Sequence, residues 1–263
     1  VKCPYCDFNS HPLREADDFA AYTKHLLSDW ATQRLALGRG AKDGDSFSAF
    51  ASVFLGGGTP SLFAPCYIKE VLKALPLQTN AEVTMEANPG TTEHADFSGY
   101  RAAGVNRLSI GAQSFDDAQL KKLGRIHAAG DTERAFNNAR AGGFDNINID
   151  LMWGLPEQSV SDALTDLQVA IDLGAEHISW YQLTIEAKTE FAKRPPILPV
   201  DETLANIEKQ GLELLATAGY QRYEVSAFAK ANYQCRHNLN YWSFGDYIGI
   251  GAGAHGKISQ ITR

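Results

Sequence analysis

The feature that most restricts how this chain can fold is an alternation of short apolar runs with amphipathic segments of helical period. "SAFASVFLGGG" reads as a strand entering a glycine turn, and "SLFAPCYIKEVLKAL" as the helix after it. "AEVTMEANPG" is a strand halted by Pro89 and Gly90, and "TTEHADFSGYRAAG" a helix closed by Gly104. "VNRLSIGAQS" is followed by the helix "DTERAFNNARAGG", with Asp131 as the expected N-cap and Gly142 as the stop. "NINIDLMWGLP" leads into "SVSDALTDLQVAIDLG", where Ser159 and Asp162 form a capping-box pair and Leu164, Leu167 and Ile171 share a face. "HISWYQLTIE" and "DETLANIEKQGLELLATAG" complete the series, and the prolines of "AKRPPILPVDE" shape the entry to that last helix. Strands and helices alternating at this spacing imply right-handed βαβ units and a parallel sheet.

The phase of the strands selects among parallel architectures. Side chains alternate between the two faces of a strand. Val83 and Met85 therefore oppose Thr84 and Glu86; Leu108, Ile110 and Ala112 oppose Ser109, Gly111 and Gln113; Ile147, Ile149 and Leu151 oppose Asn148 and Asp150. Three successive strands thus carry a polar residue, Glu86, Gln113 and Asp150, near the C-terminal end and away from the helix-packing side. In an open sheet covered by helices on both faces these groups would be buried at a cost. In a barrel they converge at the C-terminal mouth, where barrel enzymes hold their sites. The expected class is α/β, a partial parallel (β/α) TIM-like barrel.

At 263 residues the chain is long enough for such a core, and 44% hydrophobic with 21% charged residues is ordinary for a globular protein. No apolar run approaches the roughly 20 residues of a membrane helix. A net charge of −7 with scattered Lys and Arg argues against nucleic acid or an anionic membrane as the main partner. The chain begins with Val and lacks basic and apolar leader regions, which reads as a fragment whose start lies upstream and which has no targeting signal. The four cysteines, Cys3, Cys6, Cys66 and Cys235, are too few and too uneven for a secreted disulfide scaffold, so a reducing cytoplasm is expected.

"FLGGGTPS" places three glycines between a strand and a helix, where a ligand can approach the backbone and an anion can meet free N–H groups, although a tight turn explains it equally. It matches neither G-x-G-x-x-G nor the P-loop. Arg125 in "GRIH" could grip a carboxylate or a ribose, or be a solvated surface arginine; His127 beside it has no evident partner. Cys66 is expected as a buried core thiol. "YQCRHNLNYWSFGDY" gathers Cys235, His237, Asn238, Tyr241 and Trp242 densely enough for a ligand site, or for a turn whose polar groups satisfy one another. Cys3 and Cys6 have the spacing of metal ligands. They could join Cys235 and His237 around zinc, form a redox pair, or hold part of an iron–sulfur cluster.

Taken in order, "CPYCDFNSH", "GGGTPS", "MEANPG", "GAQSF", "GRIH", "NIDLMWGLP" and "HNLNYWSFGDYIGIGAGAHG" resemble the radical S-adenosylmethionine (SAM) proteins related to oxygen-independent coproporphyrinogen III oxidase, and within them the heme chaperone branch. The family pattern is C-x3-C-x2-C. Cys3 and Cys6 match its second and third cysteines, and the first is expected four residues before Cys3. The resemblance implies a [4Fe–4S] cluster on Cys3 and Cys6, SAM against Gly57, Gly58, Thr59, Glu86, Gln113, Arg125 and Asp150, and heme at His237 of the H-N-x-x-Y-W motif. The oxidase has a further cysteine where this chain has Asp7 and Phe8.

The resemblance further implies a metal-binding cytoplasmic heme chaperone that passes heme to acceptor hemoproteins and reaches a membrane, if at all, only peripherally through its acceptor. Any radical chemistry would be cleavage of SAM by the reduced cluster. Oxidative decarboxylation of coproporphyrinogen III in porphyrin biosynthesis is the less favoured alternative, and a zinc-stabilised protein without SAM the third. Residues 1–225 are expected to form the radical SAM partial barrel, lacking its first strand, and 226–263 the start of a small, truncated C-terminal region.

Overall fold

A computed structural model of the chain describes residues 3–7, 18–40, 49–91 and 96–259. Phe8 of the expected motif region lies outside them. Helix α1 (Phe19–Gly40) precedes strand β1 (Phe50–Leu55). The series then runs α2 (Pro65–Ala74), β2 (Leu77–Ala87), α3 (Phe97–Ala103), β3 (Arg107–Gln113), α4 (Asp117–Lys122), α5 (Ala129–Ala141) and β4 (Ile147–Trp153). It continues through α6 (Val160–Asp172), β5 (His177–Gln182), α7 (Glu190–Lys193), α8 (Asp201–Thr217), β6 (Gln221–Arg222), β7 (Ala227–Ala229) and α9 (Arg236–Trp242).

Strands β1 to β5 pair in sequence order and all in parallel, curling into the expected partial barrel. Beyond β5 the sheet changes sense: β7 pairs antiparallel with β5, and β6 antiparallel with β7, so the sheet continues past residue 225. A short turn joins β6 to β7, as antiparallel strands allow, whereas α7 and α8 lie between β5 and that pair.

The outward face carries the core. Val83, Met85, Leu108, Ile110, Ile147, Ile149, Leu151 and Ile178 are buried there beneath Ile68 and Leu72 of α2, Phe136 and Ala139 of α5, and Leu167 of α6. The inward face keeps the polar residues assigned by strand phase.

Local signals behave unevenly. Gly104 closes α3 with φ of 114°, a left-handed conformation that glycine adopts without steric cost. Ser159 and Asp162 form the capping box of α6, Ser159 Oγ accepting from Asp162 N–H at 3.2 Å. Asp131 is not the N-cap of α5. That position is Ala128, and Asp131, in the first turn, reaches back to accept its N–H at 2.7 Å. Cys66 is exposed rather than core, because α2 begins only at Pro65 and buries Ile68, Val71 and Leu72 on another face. Helix α1 escaped the sequence reading, although Thr23, Leu26, Trp30, Gln33 and Leu37 recur at helical spacing on its more buried side.

Candidate functional site

At the C-terminal end of the parallel strands, the turn after β1 meets the end of β2. Gly57, at φ of 88°, donates its N–H to Glu86 Oε2 at 3.2 Å. A side chain at Gly56 would bring its Cβ within 2.8 Å of Glu86 Oε1, whereas at Gly57 or Gly58 it would meet nothing within 4 Å. The turn therefore touches the carboxylate on one side and stands beside open space on the other. Thr59 follows, with no cap hydrogen bond from its side chain to the 3-10 turn Pro60–Leu62.

Burial, and then the charge of Asp150, push the Glu86 carboxyl up to about 7, against the pull of the Gly57 amide. Asp150 is also raised by burial, opposed by hydrogen bonds and the nearby Arg107 cation. Its carboxylate accepts from Ser109 Oγ at 3.0 Å and Asn148 Nδ2 at 2.7 Å.

Gln113 ends β3 in an unusual way. The pairing of β3 with β4 is irregular between Gly111 and Gln113, and Gln113 takes a φ of 64°. Its amide turns back over Gly111, where a Cβ would lie 3.0 Å from Nε2. Oε1 is buried without a protein partner. Burial, and then the charge of Asp150, push the pKa of the Tyr181 hydroxyl well up, against the pull of the Gln113 side chain.

Arg125 joins this group to the cysteine loop. Its guanidinium donates to the Gly111 carbonyl at 3.0 Å and lies 3.7 Å from Cys3 Sγ. Cys6 N–H closes a turn onto the Cys3 carbonyl at 3.1 Å, so both sulfurs belong to one tight loop. That loop is seated by Pro4, which packs on Gly124 and whose carbonyl accepts from Phe191 N–H at 3.0 Å. Tyr5 lies against Phe191 with centroids 6.4 Å apart, and burial raises its hydroxyl. His127 does have a partner: its Nε2 lies 3.2 Å from the Ala112 carbonyl, and burial and Arg125 lower its pKa to about 4.

His237 lies elsewhere. Its helix α9 docks by its first residues on Glu82, midway along β2. Glu82 Oε1 accepts from Arg236 N–H at 2.9 Å, His237 N–H at 3.4 Å and Cys235 Sγ at 3.4 Å. The imidazole stacks on Phe54 at 4.6 Å and meets the edge of Tyr241 at 4.7 Å. Burial lowers its pKa. "HNLNYW" is thus a helix whose first turn bonds to Glu82 of the sheet and whose Asn238 reaches Tyr223, while Asn240 Nδ2 donates to the Asp246 carbonyl within the same segment at 3.2 Å.

The structure overturns the four-ligand zinc reading. Cys235 sits by Glu82 and Cys3 by the far end of β3. Among the described residues no three His, Cys, Asp or Glu side chains are placed to hold a metal ion. Glu86, Asp150, Gln113, Arg125, Cys3 and the glycine turn are linked at one end, and His237 is separated from that end by the Phe54 ring on which it stacks. Tyr181, Tyr5, His177 and Tyr223 were missed. The alternation used on β2 to β4, extended to "HISWYQ", would have placed His177, Ser179 and Tyr181 on the inward face.

The donor set suits the implied groups. Two thiols in one turn beside a guanidinium can serve an anionic iron–sulfur cluster. Two buried acids, an orphaned amide oxygen and open glycines suit a ligand with a cationic amino-acid end and hydroxyls.

The model of the "Radical SAM superfamily" matches residues 1–170. Heme chaperone HemW of Escherichia coli (strain K12) is 52% identical over 263 residues, covering 98% of this chain and 67% of its own length. HemW of Haemophilus influenzae is 50% identical, covering 100% of this chain and 70% of its own. Among solved structures, coproporphyrinogen III oxidase (HemN) from Escherichia coli aligns with a TM-score of 0.79 over 97% of this chain and 61% of its own, at 22% identity. At that identity the likeness is one of fold.

Proposed function

This chain belongs to the radical SAM superfamily, in its HemW branch, and from that premise we propose that it is a heme chaperone, binding heme and passing it to acceptor hemoproteins. The observation that carries the reading is the state of His237. Its ring is held between Phe54 and Tyr241, burial favours the neutral form, and neither ring nitrogen has a hydrogen-bond partner among the described residues. A neutral imidazole with a free nitrogen is what heme iron requires of an axial ligand. Around it Leu239, Tyr241, Trp242 and Phe244 are exposed, the last at 82%, and offer apolar surface that a porphyrin face would cover.

The second half of the proposal concerns the pocket. Cys3 and Cys6 contribute to a [4Fe–4S] cluster, and Gly57, Gly58, Thr59, Glu86, Gln113, Arg125 and Asp150 hold SAM. When bound, the cluster supplies the electron that SAM cleavage requires. Glu86 and Asp150 offer carboxylates to a cationic ligand, Gln113 offers the unused Oε1, and Arg125 offsets negative charge at sulfur. Residues 1–225 carry this pocket and 226–263 begin the region that bears His237.

The setting proposed is the cytoplasm, with hemoproteins as partners and no nucleic acid. No helix among the described residues is long and apolar enough to cross a membrane.

Anaerobic reconstitution of the full-length protein with iron and sulfide tests the assignment. The expected product shows cluster absorbance and an electron paramagnetic resonance signal that SAM perturbs, with both lost in the Cys3→Ala, Cys6→Ala double variant. Bound zinc without cluster absorbance would overturn it.

A further inference from the structure

The inward face contains a buried hydrogen-bonded chain that joins the pocket to the helix bearing His237. It begins at the Asp150 carboxylate, which accepts from Asn148 Nδ2 at 2.7 Å. Asn148 Oδ1 lies 2.6 Å from His177 Nδ1, and His177 Nε2 lies 2.7 Å from the Tyr223 hydroxyl. That hydroxyl accepts from Cys235 N–H and from Asn238 Nδ2, each at 3.1 Å. Asn148 and His177 are 2% and 1% exposed.

The chemistry fixes the direction of every link. Asp150 as a carboxylate only accepts, so Asn148 must present its NH2 there and its carbonyl to His177. His177 then carries its proton on Nδ1, leaving Nε2 to accept the Tyr223 proton. Tyr223, having donated its one proton, accepts from the two groups of α9. Turning any member around would leave a buried donor or acceptor without a partner, which costs about 1–3 kcal/mol. The chain is therefore held as a unit. Side bonds brace it: Asn148 Nδ2 also donates to Ser109 Oγ at 2.7 Å, and Ser179 Oγ donates to Asn148 Oδ1 at 3.1 Å.

The same interior holds Arg107, 2% exposed, which among the described residues leaves Nε without a partner and reaches Thr84 Oγ1 at 3.5 Å.

We infer that Asn148, His177 and Tyr223 are positioning residues that couple the SAM pocket at Asp150 to helix α9, so that SAM and heme alter one another's affinity. This rests on the reading of the two sites given above. A ligand that engages Asp150 changes how firmly that carboxylate holds Asn148. The register of donors passes the change through His177 to the hydroxyl on which α9 is docked. Reciprocity requires that heme at α9 affect SAM by the same factor.

Physical contiguity alone does not establish coupling, so the test measures it. Heme is titrated into reconstituted full-length protein with and without saturating SAM, in the parent and in Tyr223→Phe, which keeps the ring and deletes the hydroxyl. In the parent SAM is expected to shift heme affinity by about fivefold or more. In Tyr223→Phe the ratio collapses towards one while SAM affinity alone changes little, a pattern that simple loss of structure does not produce.

If Tyr223→Phe does not fold, amide hydrogen exchange at Cys235 in the parent serves instead. SAM is expected to change its protection, and an unchanged rate would refute the coupling. If SAM and heme both bind but the ratio is one in the parent, or is retained in Tyr223→Phe, the coupling is wrong and the two sites stand. If either ligand fails to bind, the reading of the sites falls and takes the coupling with it.

Discussion

The Glu86 carboxylate of β2 accepts the Gly57 amide of the turn after β1 at 3.2 Å, which makes the acid and the glycine turn one unit. A change in either should be read at the other. That unit lies beside Asp150, whose charge is the second cause, after burial, of the raised Glu86 pKa.

Gly56→Ala should disrupt this unit. Its Cβ would stand 2.7 Å from the Phe54 ring and 2.8 Å from Glu86 Oε1, so the carboxylate must move. Gly58→Ala meets nothing within 4 Å. Calorimetric titration of reconstituted protein should show SAM binding weakened on the order of tenfold in Gly56→Ala, the loss of roughly one hydrogen bond to a charged group. Equal affinity in Gly56→Ala and the parent would contradict the placement of SAM at Glu86.

Glu86 also predicts a pH dependence. Its carboxyl normally titrates near 4.5 and here at about 7, so between those values the folded protein keeps a proton that the unfolded chain has lost. Its contribution makes stability fall as pH rises through that window, by on the order of 2 kcal/mol after allowance for solvent screening. His127, lowered to about 4, acts in the opposite sense between that value and 6.5. The quantity to read is therefore the difference between Glu86→Gln and the parent. In ligand-free protein, urea midpoints should show the variant gaining on the parent from pH 5 to pH 8, and a constant difference would refute the assignment.

Gly124 seats the cysteine loop. It takes a φ of 65°, and a Cβ there would lie 2.6 Å from Pro4 Cδ. Gly124→Ala should displace the turn between Cys3 and Cys6 and lower iron content after reconstitution, while circular dichroism stays that of the parent. Full iron loading would show that the loop is seated by other contacts.

Gly211 has a structural role at the back of the sheet. On α8 its missing Cβ makes room for the Trp180 indole, with ring carbons 2.0 to 2.7 Å from where that atom would be. Gly211→Ala should destabilise by about 1 kcal/mol, since overpacking costs roughly 1–3 kcal/mol against up to about 1 regained in helix propensity. Denaturant unfolding checks this, with SAM and heme affinities expected to stay near the parent's.

Much of the site was legible because strand alternation is a backbone property. Glu86 and Asp150 follow it directly, and Ser109 and Asn148 stand beside them as the same rule requires. Gln113 shares the face but reaches it through a bulge and a positive φ that no sequence period encodes. Arg125 was open between an anion grip and a surface arginine until the resemblance favoured the first, since its setting comes from a carbonyl on β3 and a sulfur near the start of the chain, both distant in sequence. The antiparallel β7 and β6 were not legible. They are three and two residues long, too short for a periodic signal, and tertiary pairing with β5 places them. Asp131 looked like an N-cap because its residue type suits one. It stands in the first turn instead, because the backbone N–H of Ala128 was free to be satisfied from that side.

The most direct test of the chaperone account is heme transfer itself. Full-length reconstituted protein is loaded with heme, separated from free heme and mixed with an apo-hemoprotein, and the growth of the acceptor's Soret band is followed in the parent and in His237→Ala. The account predicts transfer by the parent and weaker heme retention with loss of transfer in His237→Ala. Undiminished binding and transfer by His237→Ala, or turnover of coproporphyrinogen III to protoporphyrinogen by the parent, would contradict it.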